Sequence, residues 1–156
     1  MLEEKIGQMI TDLGLSDCVH MLGSMKPNEV RDHMEKSEIF LFTSDRHEGW
    51  GAVLNESMNS GCAVVASHAI GSVPFLVNDG ENGFIYKDGD IDNLYKKVKL
   101  LLDDSCRRRE MSKKAYFTIA DEWNAENAAT RFIYLLQDIK ENGNSSRFSH
   151  GPCSKS

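Results

Sequence analysis

Glu48 and Glu56 are two carboxylates with seven residues between them, in the stretch Glu48-Gly49-Trp50-Gly51-Ala52-Val53-Leu54-Asn55-Glu56. The apolar run at residues 38–44 before it has the length and composition of a buried parallel strand, and Val53, Leu54 and Met58 after it recur at helical spacing. The stretch therefore reads as strand, loop and helix N-terminus. Glu48 falls in the loop and Glu56 on the second helical turn, so at about 1.5 Å rise per residue they lie on the order of 10 Å apart. That is too far for a glycosidase pair, which needs roughly 5 Å for retention or roughly 6.5–9.5 Å for inversion. The two carboxylates can instead accept hydroxyl hydrogen bonds from the two ends of one ligand. Gly49 and Gly51 let backbone come close to such a ligand, and the free amides of the first helical turn suit a diphosphate between its ends. A nucleoside diphosphate sugar has this layout, with ribose at one end and hexose at the other.

The elements that must hold this loop can be read along the chain. Leu2, Ile6, Met9, Ile10 and Leu13 mark one helical face that stops at Gly14, and residues 19–22 form a short apolar stretch expected as a strand. Pro27 opens a second helix with Val30 and Met34 inward. The strand at 38–44, the helix from the glycine loop to Ser60 and a strand at 63–67 make a crossover unit of a parallel sheet, with chemistry expected at the carboxyl ends of its strands. His68-Ala69-Ile70-Gly71-Ser72 leaves such an end, so Gly71 reads either as another wall of the site or as an ordinary turn. Asn78-Asp79-Gly80 and Asn82-Gly83 are turn dipeptides before a strand at 84–86. Asp90 caps a helix with Ile91, Leu94, Val98, Leu101 and Leu102 inward. Two further helices, at 104–120 and 124–139, follow, the last with Ala125, Ala129, Phe132, Leu136 and Ile139 on one face. Residues 141–156 are polar, with little to bury, and are expected to be a disordered tail after a domain at 1–140.

Length and composition narrow the classes. The 156 residues suit one domain, and the net charge of −6 argues against nucleic acid as main partner. Arg107-Arg108-Arg109 is flanked by acids and reads as a solvated helical face. No stretch has the roughly 18 apolar residues of a spanning helix, and no signal-peptide core begins the chain, so a cytoplasmic address is expected. Cys18, Cys62, Cys106 and Cys153 lie far apart, and His20, His33 and His150 lack ligand spacing. Reduced thiols, no metal and no cofactor are expected. His47 reads as a polar loop residue and Arg46 as a surface cation, whereas Trp50 suits core packing and a pocket lining equally.

The glycine loop through Glu56-Ser57-Met58, with Ser60-Gly61-Cys62-Ala63-Val64-Val65-Ala66-Ser67, resembles the C-terminal donor-binding domain of retaining glycosyltransferases of the GT-B fold, group 1 type. Gly14 to Gly23 upstream, Gly71-Ser72-Val73-Pro74 and Asn78 to Tyr86 downstream fit the same domain in the same order. The resemblance implies an α/β fold with a Rossmann-like, doubly wound parallel sheet. It implies Glu48 near the transferred sugar and Glu56 on the ribose hydroxyls. The amides of Gly51, Ala52 and Val53 would meet phosphate or sugar, and the main chain at His20 and Met21 the base. Phe75 stands where many relatives carry an acidic residue. The family's first two strands, with a glycine turn carrying an Arg and a Lys, and its N-terminal acceptor domain have no counterpart in residues 1–156. The chain is accordingly expected to be a fragment, inactive alone, of an enzyme in polysaccharide or glycoconjugate synthesis that associates with a membrane periphery. The competing expectations are a non-catalytic sugar-nucleotide-binding or interaction remnant and, matching the glycine loop less well, a sugar-nucleotide epimerase.

Overall fold

Three short apolar runs become the strands β1 (Ile39–Phe42), β2 (Ala63–Ser67) and β3 (Phe84–Tyr86), parallel throughout and ordered β1-β2-β3. The structure, a computed structural model, describes residues 2–145 and 147–154. Among the described residues seven α-helices accompany the strands: α1 (Leu2–Asp12), α2 (Pro27–Lys36), α3 (Ala52–Asn59), α4 (Val73–Leu76), α5 (Ile91–Asp103), α6 (Ser105–Phe117) and α7 (Ala125–Asn142), with a π-helical turn at Thr118–Glu122. The fold is α/β with helices on both faces of a parallel sheet. The chain divides into two compact units, Met1–Val30 and Arg31–Ser156, and the sheet belongs to the second.

β2 is buried at every residue, and the pleat sends its side chains alternately to two cores. Val64 and Ala66 join Phe42, Leu54 and Met58 on one side, whereas Ala63 and Val65 join Phe84, Tyr86 and Leu101 on the other. α3 thus covers one face and α5 the other. α6 reaches both, placing Ala115 in the first core and Met111 in the second. Cys62 is buried at the entry to β2, where its thiol donates to Met34 O at 3.2 Å and burial pushes its pKa up. All four cysteines are unpaired.

Several expectations are corrected. Residues 19–22 join no ladder, and Val19, Met21 and Leu22 stay exposed. A strand exists through its neighbour's hydrogen bonds, and apolar composition alone does not supply one. In α5, Leu94, Val98 and Leu101 pack inward, but Ile91 and Leu102 are 78% and 63% exposed. The α7 face formed by Phe132, Leu136 and Ile139 is likewise exposed, because a helical period marks a face without saying what covers it. Arg108 is no solvated side chain: it donates to Leu101 O at 2.6 Å and pairs with Glu38 at 3.0 Å. The segment after the expected domain is described in part. α7 runs to Asn142 and ends on left-handed Gly143, after which residues 147–154 return along it. Arg147 pairs with Asp138 at 2.6 Å, Ser145 Oγ donates to the same carboxylate at 2.7 Å, and Arg131 donates to the carbonyls of His150 and Pro152.

Asn82, expected only as a turn residue, is 4% exposed and fully engaged. Its Nδ2 donates to Leu76 O at 2.8 Å and Thr118 Oγ1 at 2.9 Å, and its Oδ1 accepts from Asn78 N at 2.7 Å. It locks the loop after α4 onto the π-helical turn. Asn82→Ala leaves these groups without their partner and is expected to destabilise the fold by about 2 kcal/mol. Denaturant unfolding checks this, and an unchanged midpoint would reject the clasp.

Candidate functional site

The loops that leave β1 and β2 at their carboxyl ends are stitched to each other. Gly71 N donates to Gly49 O and Ser72 N to Trp50 O, both at 3.0 Å. At Gly71 a Cβ would stand 2.1 Å from Gly49 O, so glycine is required there by backbone approach. Gly71 is thus a contact between the two loops and not an isolated turn. Gly51 has φ of 76° and opens α3, and a Cβ on it would meet Phe42 Cε1 at 2.8 Å and Ile70 Cγ2 at 3.0 Å. Gly49 differs. Its φ is ordinary and nothing lies within 4 Å of the Cβ position, so the protein itself does not demand glycine. The space beside it is open to a ligand.

Gly51 caps α3 without any side-chain hydrogen bond, and the first turn closes with Leu54 N donating to Gly51 O at 2.9 Å. The amides of Ala52 and Val53 precede that bond, and Ala52 is exposed. Free N–H groups and the positive dipole end of the helix thus face outward together, as an anion requires. Glu56 is exposed on the next turn; its carbonyl accepts from Ser60 N at 2.9 Å, and its carboxylate makes no hydrogen bond or ion pair among the described residues. Glu48 is half-buried in the loop, where Ser44 Oγ donates to its Oε2 at 3.4 Å and its own N–H donates to Asp45 O at 3.1 Å. His47 closes the same turn: its N–H donates to Asp45 Oδ1 at 2.8 Å and its ring stands 3.0 Å from that oxygen. The backbone bond first, and then the ring, hold the Asp45 carboxyl below the usual carboxylate range. His47 is a loop-shaping residue.

Trp50 is 41% exposed, so it is not a core residue. Its Nε1 donates to Asn55 Oδ1 at 2.9 Å, and its ring lies 5.6 Å from Phe75 and 5.7 Å from Trp123. Asn55 and Trp123 escaped the sequence reading. Asn55 sits inside the motif at a helical offset that could have been noticed, whereas nothing local ties Trp123 to Trp50. His20 and Met21 belong to the unit Met1–Val30 and are exposed, while Glu48, Glu56 and the glycine loop belong to Arg31–Ser156. Among the described residues no cluster of His, Cys, Asp and Glu could hold a metal ion, and no helix is long and apolar enough to cross a membrane. The arrangement can hold an anion on backbone amides, with one carboxylate in the loop before them and one on the next helical turn.

The sequence model of the family described as glycosyl transferases group 1 matches residues 2–118. The lipopolysaccharide core biosynthesis glycosyltransferase LpsE of Rhizobium meliloti is 26% identical over 133 residues, which are 85% of this chain and 38% of that protein. The chain thus spans little more than a third of that relative's length. Among solved structures, the C-terminal domain of a glycosyl transferase group 1 family protein from Francisella tularensis superposes with a TM-score of 0.73 at 25% identity, covering 80% of this chain and 63% of that one. The HepE protein of Anabaena in complex with UDP gives 0.75 at 25% identity, covering 86% and 36%.

Proposed function

Because the chain belongs to the glycosyl transferases group 1 family, as a C-terminal domain of the GT-B type, we propose that it is the donor-binding part of an enzyme that moves a hexose from a nucleoside diphosphate sugar to a saccharide or lipid acceptor. The anomeric configuration is retained in this reading, and the product is a polysaccharide or glycoconjugate. The observation that carries the reading is the uncapped N-terminus of α3, opened by left-handed Gly51 and placed between Glu48 and Glu56. The UDP bound to HepE and the lipopolysaccharide role in the name of LpsE support it.

In this reading the diphosphate lies on the amides of Gly51, Ala52 and Val53, beside the open face of Gly49. As the bond to the sugar breaks, negative charge grows on the departing diphosphate, and the fixed amides and helix dipole stabilise it without reorganising. Glu56 accepts from the ribose hydroxyls. Glu48, steadied by Ser44, accepts from the hexose and sets its position for transfer. No metal is needed. The acceptor domain lies outside residues 1–156, and the whole enzyme works in the cytoplasm, at the membrane periphery when its acceptor is a lipid.

The test is transfer by the intact enzyme, with UDP-, GDP- or ADP-glucose as donor, followed by release of the nucleoside diphosphate and by the product's anomeric proton signal. Retained configuration with one donor is expected, and residues 1–156 alone are expected to transfer nothing and to self-associate through the unpaired edge of β1. An inverted product would reject retention. Transfer by residues 1–156 alone would reject the division of labour, and binding without transfer by the intact enzyme would leave a non-catalytic module.

A further inference from the structure

α3 begins without a side-chain cap, because Gly51 has no side chain to offer, and no carboxylate stands in its first turn. An Asp, Asn or Ser in place of Gly51 would accept from the second or third amide of the helix and so occupy a donor that an anion needs. In Ala52-Val53-Leu54-Asn55, Leu54 is fully buried and Val53 packs on the core, and Asn55 is the one residue with a polar side chain. Its Oδ1 accepts from Trp50 Nε1 at 2.9 Å. The bond runs from α3 back across left-handed Gly51 to the loop and uses none of the α3 amides.

The other end of this bond is anchored. Trp50 stands between Gly49 and Gly51, so its side chain is the only one in that tripeptide that can hold the loop. Its ring lies 5.6 Å from Phe75 and 5.7 Å from Trp123, which itself packs on the core. Its carbonyl accepts from Ser72 N at 3.0 Å. Phe at position 50 could keep the ring contacts but has no N–H to give. Position 55 is as particular. Leu has nearly the shape of Asn and accepts nothing, whereas Asp accepts but sets a negative charge beside the amides. A neutral acceptor suits a loop that must leave a helix N-terminus open to an anion.

We propose that Asn55 is a positioning residue: by accepting from Trp50 Nε1 it fixes the glycine loop against α3 and keeps the amides of Ala52 and Val53 unspent. It acts through Trp50 and not on the reacting atoms. The consequence for nucleotide binding rests on the donor-binding reading above, whereas the fixing of the loop rests on the bond between Trp50 and Asn55.

Hydrogen exchange of the intact enzyme tests the fixing, read at Leu54 N, Gly71 N and Ser72 N, whose acceptors Gly51 O, Gly49 O and Trp50 O all lie in the loop. Asn55→Leu and Trp50→Phe are each expected to speed that exchange about fivefold, the factor carried by one ordinary hydrogen bond. Asn55→Asp restores the acceptor and is expected to exchange as the parent does. Calorimetry with UDP, GDP and ADP tests the consequence. Asn55→Leu is expected to weaken the nucleotide that binds about fivefold, and Asn55→Asp to weaken it as well, by its added charge, although its loop stays fixed. Leu keeps the shape of Asn and Phe keeps a ring, so one variant survives if the other unfolds. Unchanged exchange in Asn55→Leu and Trp50→Phe, or Asn55→Asp exchanging as fast as Asn55→Leu, overturns the fixing of the loop. Faster exchange with unchanged affinity in Asn55→Leu overturns the positioning role. A parent enzyme that binds none of the three nucleotides counts against the donor reading alone, because the exchange result still decides whether Asn55 fixes the loop.

Discussion

Gly71→Ala is expected to destabilise the protein by about 1–3 kcal/mol, the usual cost of forcing atoms into a packed site, and to remove nucleotide binding with it. The added Cβ would stand 2.1 Å from Gly49 O and 3.1 Å from Gly49 C, which are backbone atoms and cannot swing aside as a side-chain end can. The two loops must part. That breaks the bonds from Gly71 N to Gly49 O and from Ser72 N to Trp50 O, which hold the Glu48 loop to the β2 side. Gly49→Ala is the control, because its Cβ meets nothing within 4 Å and its φ is ordinary. It should fold within about 0.5 kcal/mol of the parent and yet weaken binding by occupying the ligand's space. Thermal unfolding of the two variants checks the contrast. A Gly71→Ala protein with the parent's Tm would show that the loops are not joined in this way.

Glu56→Ala is expected to weaken nucleoside diphosphate binding by about 1.5–3 kcal/mol, the range for a hydrogen bond to a charged group, which is about 10- to 150-fold in Kd. The Glu56 carboxylate is exposed and has no partner among the described residues, so nothing in the fold depends on it. Loss of affinity with unchanged stability therefore reports a ligand contact and nothing else. Glu48→Gln should act differently, lowering turnover more than nucleotide affinity, since its contact in this reading is the hexose. Its neighbour Ser44 donates to the carboxylate and can still donate to the amide oxygen, so the loop is expected to keep its shape. Equal losses for nucleotide and nucleotide sugar would contradict that division.

What could be read from the sequence was local, and what could not was long-range. β2 and β3 appear with the expected bounds, because a buried parallel strand is an apolar run between turn signals and needs no further information. The opening of α3 at Gly51 and the capping of α5 by Asp90 were legible for the same reason: glycine conformation and side-chain caps act within a few residues. The strand at 19–22 failed because pairing is a property of two segments. The exposed stripes of α5 and α7 failed because amphipathicity precedes any knowledge of a neighbour. Trp50, Phe75 and Trp123 meet across stretches of chain that no periodicity connects, so the aromatic surface beside the loop could not be foreseen. The bonds of Asn82 to Thr118 and of Arg108 to Glu38 are of the same kind. The loop and the helix that carry the two glutamates were legible from glycine and helical spacing. Their different settings, Glu48 half-buried against Ser44 and Glu56 open to solvent, came only with the fold.

The most direct measurement of the central claim is a calorimetric titration of the intact enzyme and its Glu56→Ala variant with UDP-, GDP- and ADP-glucose. The donor-site account predicts saturable binding of one of the three at one site per chain, weakened at least about tenfold in the variant. No saturable binding of any of them, or the same affinity with and without the Glu56 carboxylate, would contradict it.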